Sequence, residues 1–163
     1  MPNLTHPSLH HLNAAQGWLE LGNLVEARSE LDSIPAEWQS HPDVLGLRWD
    51  LLAYEKNWKA ALELAERLVA QVPERCSGWI HRSFSLHELK RTQEALDKLQ
   101  PALAKFPKVS TIPYNLACYT CQLGRLGDAR EWLAVAARVG EKKQILAMAA
   151  TDPDLEPLWP GLK

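Results

Sequence analysis

No stretch of this 163-residue chain approaches the roughly 20 consecutive apolar residues that span a bilayer, so no membrane-crossing helix is expected. The opening residues Met1-Pro2-Asn3-Leu4-Thr5-His6 have neither a basic start nor an apolar core, and no export signal is expected from them. Charge of one sign is also scarce. The 18 Lys and Arg against 20 Asp and Glu leave a formal net charge of −2, which argues against a nucleic-acid partner. Cysteine is limited to three residues, an odd number that points to free thiols in a reducing compartment, with cytoplasm as the expected location. Neither a phosphate-cradling glycine loop, nor a Ser-His-Asp order, nor a paired-carboxylate motif stands out. His6, His10, His11 and His41 have no catalytic company. The expectation is therefore a non-catalytic protein without a cofactor. The rest of the composition, 46% hydrophobic and 23% charged, is ordinary for one globular domain with a continuous core.

What the chain does have is a period. Ala27, Ala61, Ala95 and Ala129 are each separated by 34 residues. Each follows a turn signal and opens a similar segment: Gly22-Asn23-Leu24, Lys56-Asn57-Trp58, Lys90-Arg91-Thr92 and Gly124-Arg125-Leu126. A small residue at a helix crossing lets two antiparallel helices approach closely, and a larger one would hold them apart. A helix-turn-helix unit of this period resembles the tetratricopeptide (TPR) repeat.

Counting each alanine as position 20 of its unit sets repeats at 8–41, 42–75, 76–109 and 110–143, with cap and tail at 144–163. The first helices of the pairs are predicted over 8–21, 42–55, 77–89 and 112–123. The second helices are predicted over 24–34, 58–72, 92–106 and 126–139. Pro73 and Pro107 end second helices, and Pro42 and Pro113 suit first turns, where the missing N–H would be unpaired anyway. Pro35 ends its helix early, and Pro101 is expected to kink the third second-helix. Gln39 stands where the family prefers proline, while Arg48, Trp49 and Arg82 occupy positions usually leucine or small.

The strongest resemblance to bacterial TPR proteins lies in Tyr114-Asn115-Leu116-Ala117-Cys118-Tyr119, in Gly124, and in Asp128-Ala129-Arg130-Glu131-Trp132-Leu133. Thr151-Asp152-Pro153-Asp154-Leu155-Glu156-Pro157-Leu158-Trp159 looks like the tail with which many such arrays end. The resemblance implies an all-α, right-handed α-solenoid of four TPR units plus a capping helix over 142–150. Trp18, Trp58 and Trp79 fall on packing positions, Trp38 in a loop, and Trp159 in a tail folded back onto the cap.

It also implies function: a protein- or peptide-binding scaffold or adaptor with a concave groove lined by fixed positions of each first helix. These map to Leu12 and Gln16 in the first repeat, and Asp50 and Tyr54 in the second. The third repeat adds Ile80, His81, Phe84 and His87, and the fourth Tyr114, Asn115 and Cys118. No Lys or Arg occupies a mapped position, whereas Glu20, Asp43, Asp50 and Glu88 do. Chaperone-binding TPR domains grip a C-terminal carboxylate with cations at positions that here hold Leu12, Gln16, Leu47, Ser77 and His81. A carboxylate would be desolvated there without compensation, so that partner is excluded. A hydrophobic or mildly basic segment is expected instead.

Two other readings stand beside this one. Short TPR chains also serve as chaperones of secreted proteins, although those resemble three-repeat arrays. Cys118-Tyr119-Thr120-Cys121 has the spacing of a thiol or zinc protein, with His87 as a further ligand candidate. Its cysteines, however, fall mid-helix, where no dipole lowers the thiol pKa, and zinc needs about four ligands. Arg48 and Arg82 read as inter-repeat ion pairs, Arg48 with Glu30 or Asp32 and Arg82 with Glu63 or Glu66, or else as groove-edge cations. Pairing of two copies through an exposed apolar face stays open.

Overall fold

A computed structural model describes residues 4–161. Among the described residues the regular structure is helical throughout, and the chain divides into two compact units, one ending at His81 and the other beginning at Arg82.

The first unit holds α1 (His6–Glu20), α2 (Leu24–Asp32), α3 (Pro42–Tyr54), α4 (Trp58–Gln71) and the opening of α5 (Cys76–Glu88). α1 packs on α2, α3 on α4, and α3 also against α1 and α2. Ala15, Leu19, Ala27, Leu31, Ile34, Val44 and Leu51 form its buried core, with Trp18 and Trp38 packed at the margin. Trp38 lies in a short 3-10 turn over Ala36–Trp38.

The second unit holds the remainder of α5, then α6 (Thr92–Leu99), α7 (Ala102–Lys105), α8 (Thr111–Gln122), α9 (Leu126–Val139) and α10 (Lys142–Ala149), and a 3-10 segment over Pro153–Gly161. α8 lies against α6, α7 and α9, while α10 packs on α9. The interruption between α6 and α7 falls at Gln100 and Pro101, where the proline ring removes a backbone donor and breaks the predicted single helix in two.

All four period-setting alanines are fully buried, as a close helix crossing requires. The turn before each is equally periodic. Gly22, Lys56, Lys90 and Gly124 all have positive φ, at 75°, 57°, 64° and 76°. In each case two backbone N–H groups reach back to the helix end. The Gly22 and Asn23 amides donate to Leu19 and Trp18, and the Lys56 and Asn57 amides donate to Ala53 and Leu52. The last two turns repeat the pattern, which is a left-handed C-terminal cap. Lysine tolerates that conformation poorly. Lys56→Gly and Lys90→Gly should each stabilise by about 0.5–1 kcal/mol once the added unfolded-state freedom is subtracted. Urea denaturation reads the change, and a loss of stability would contradict the cap assignment.

Gln39 explains how the first repeat closes without proline. Its Nε2 donates to the carbonyls of Leu31 and Ile34, 3.0 and 2.6 Å away, and its Oε1 accepts from Arg48. Arg48 also donates to the Leu31 carbonyl and pairs with Asp32 at 2.9 Å, so it is a helix-end brace. Trp49 turns inward and stacks on His81 with ring centroids 3.8 Å apart and planes 4° from parallel.

Candidate functional site

The candidate groove residues gather into two places, one in each unit. In the first, α1 and α3 present their facing sides at helical spacing, which puts Leu12, Gln16 and Leu19 opposite Leu47, Asp50 and Tyr54. With His81 and Arg75 these line an open cavity of 570 Å³. Arg75 lies just before α5 and pairs with Asp43 on its rim. It is a cation that the first-helix positions could not reveal. Gln16 and Glu20 bond to one another at 3.1 Å.

Asp50 sits at this cavity without company. Among the described residues no group donates a hydrogen bond to its carboxylate and no cation pairs with it. Burial alone pushes its pKa up from 3.8 to about 6. His81, pressed against Trp49, is pushed down to about 4 by the same cause and stays neutral. The open charge of this cavity near neutral pH is thus negative.

The second place is lined by Phe84, His87, Glu88, Tyr114, Asn115 and Cys118, but here the chain's own tail enters. Tyr114 Oη donates to Asp152 at 2.8 Å, and Cys118 Sγ points at the same oxygen from 3.7 Å. His87 Nε2 lies 2.9 Å from Asp154, with its Nδ1 on Thr92 Oγ1 at 3.1 Å. The Asp154 carbonyl accepts from Gln122, and the Asp154 amide is held by Asp152 Oδ1. Leu155 and Leu158 are fully buried beneath, and Trp159 donates to the Ala149 carbonyl at 2.9 Å. A cavity of 400 Å³ remains beside the tail.

Covering the last repeat is therefore shared. The expected capping helix, α10, lies on α9, but the groove face of α8 is covered by the 3-10 tail. Tyr114, His87 and Cys118 are each at most 6% exposed. A ligand in this half would have to displace the tail before reaching them. Ile80 lines neither cavity.

The thiols read plainly. Burial and the neighbouring Asp152 and Asp154 hold Cys118 well above the ordinary thiol range, and burial also raises Cys121. A reactive cysteine needs the opposite environment, one that lowers the pKa. Cys118, Asp152 and Asp154 bring three metal-capable atoms within 4.8 Å of one another. The Asp152 oxygen already accepts the Tyr114 proton, so the cluster is satisfied as a hydrogen-bond network.

These features define an all-α solenoid fold of the TPR type. TTC0263, a thermophilic TPR protein in Thermus thermophilus, matches with a TM-score of 0.73 at 18% identity, over 95% of this chain and 98% of that one. MamA from Desulfovibrio magneticus RS-1, residues 41 to the end, matches with a TM-score of 0.71 at 17% identity, over 95% and 90%. A MamA RS-1 double mutant gives 0.70 at 16% identity, over 86% and 79%. No family model and no curated protein matches the sequence. No helix among the described residues is long and apolar enough to cross a membrane.

Proposed function

We propose that this chain is a non-catalytic protein-binding scaffold that holds an extended or helical segment in the cavity between α1 and α3. The observation that carries the reading is Asp50: a half-buried carboxylate with neither donor nor cation, at the wall of an open 570 Å³ cavity. Burial of such a group costs free energy that no group among the described residues returns, and a cationic side chain of a ligand would return it. Leu12, Leu19, Leu47 and Tyr54 supply apolar contact around it. The preferred ligand is therefore an apolar segment bearing one lysine or arginine, consistent with the carboxylates at Glu20 and Asp43. An acidic C-terminal tail would meet repulsion there. Titration calorimetry with a Leu/Lys peptide and its Leu/Glu counterpart tests the preference. Binding of the basic peptide that is lost in Leu47→Lys, which sets a cation in the cavity, supports the reading, and basic-peptide binding unchanged by that variant rules it out.

A further inference from the structure

Within the second unit, α9 and α10 form a different surface. The helical period places Arg130, Leu133, Ala134, Ala137 and Arg138 along one side of α9, and Lys142 and Leu146 stand one turn apart on α10. Together these seven residues line a trough of 460 Å³. Its floor is apolar: Leu133 is buried, and the short side chains of Ala134 and Ala137 leave room that a leucine would fill. Arg130, Arg138 and Lys142 are exposed at its edges. Among the described residues none of the three has a carboxylate partner, and no Asp or Glu lines the trough. Asp128, Glu131 and Glu141 belong to the same stretch of chain but lie outside the lining.

We infer that this trough is a docking surface for an acidic peptide segment, one that sets a leucine-sized side chain on Ala134 and Ala137 while its carboxylates meet Arg130, Arg138 and Lys142. Charge complementarity selects the occupant. Three cations around an apolar floor repel a basic segment, and each carboxylate brought to an exposed arginine or lysine gains attraction that steers association. Concavity separates a peptide from an anionic membrane. The 460 Å³ trough between two helices takes up a single inserted side chain, which a peptide supplies and a flat lipid surface does not. The surface is opposite in charge to the cavity that holds Asp50, so a chain with both can bind two partners of unlike composition.

Fluorescence anisotropy with a labelled Leu/Glu peptide tests the inference on the full chain. Binding is expected, with affinity falling as salt rises and dropping roughly tenfold in an Arg138→Glu, Lys142→Glu variant. Ala134→Trp fills the trough without altering a charge and is expected to remove binding as well. Asp50→Asn, which acts on the other cavity, should leave this affinity unchanged. All four positions but Asp50 are exposed, so circular dichroism should report unaltered folding in the trough variants. Three results would each overturn the inference: no acidic-peptide binding, Leu/Lys-peptide binding that Ala134→Trp removes, or acidic-peptide binding insensitive to both trough variants. Binding to anionic phosphatidylserine vesicles in place of the acidic peptide would overturn it in favour of a lipid surface.

Discussion

Leu155→Ala should destabilise the second unit by about 2–5 kcal/mol, because it empties a fully buried leucine site. The tail around it is short, and Leu155 and Leu158 are its two buried leucines. Asp152 and Asp154 anchor its first residues, through Tyr114 and His87, and Trp159 anchors its end on α10. The phenol of Tyr114 is raised well above its ordinary pKa by burial and then by Asp152, so it remains a donor throughout the accessible range. With Leu155 shortened, the segment keeps only Leu158 of its two buried leucines to offset its ordering, and each remaining hydrogen bond contributes only about 1 kcal/mol net. Release of the tail would uncover Tyr114, His87 and Cys118. Two measurements check this together: urea denaturation, and the reactivity of Cys118 with a thiol reagent. A stability loss below about 0.5 kcal/mol, within the range of surface substitutions, would mean that Leu155 is not docked in solution.

This tail also marks where sequence reasoning stops. The period of Ala27, Ala61, Ala95 and Ala129 sets the helix pairing because a buried alanine at a crossing has one physical use. Pro101 is legible for a similar reason, since a missing N–H has a local consequence. Asp152 and Asp154 are plain to see in the tail sequence, yet their partners Tyr114 and His87 lie 38 and 67 residues away. No pattern along the chain encodes such a meeting. Arg75 escapes because it precedes its helix, and Gln39 because its double use, capping Leu31 and Ile34 while orienting Arg48, exists only in three dimensions. The acidic character of the first cavity is readable from the mapped positions. The isolation of Asp50 is not, since it depends on what fails to reach it.

That isolation leads to a paired expectation: Asp50→Asn should stabilise the chain and weaken its ligand. In the folded protein the carboxyl titrates near pH 6, while in the unfolded chain it titrates at its ordinary 3.8. The folded state therefore holds its proton more tightly. Below about pH 4 both states are protonated and there is no penalty. Between about pH 4 and 6 the penalty grows, and above that it is constant. The shift sets a ceiling of about 3 kcal/mol, and solvent screening across the open cavity leaves about 1 kcal/mol. Asp50→Asn should accordingly raise the melting temperature by about 2–4 °C at pH 7.5 and leave it unchanged at pH 4. Binding of a Leu/Lys peptide should move the other way, losing roughly tenfold or more at pH 7.5 because a charge-assisted contact is gone. In the unaltered chain that affinity should rise as pH passes 6. Other polar groups also face the site. Asp43 is paired with Arg75, His81 is already neutral above about pH 4, Tyr54 is an exposed phenol, and Glu20 is held by Gln16. A carboxylate that costs stability at the wall of an open cavity fits the trade between stability and function that binding sites make. If Asp50→Asn stabilises the chain yet binds the basic peptide as well as before, the carboxylate has no part in recognition, and the ligand of this cavity is selected by its apolar wall alone.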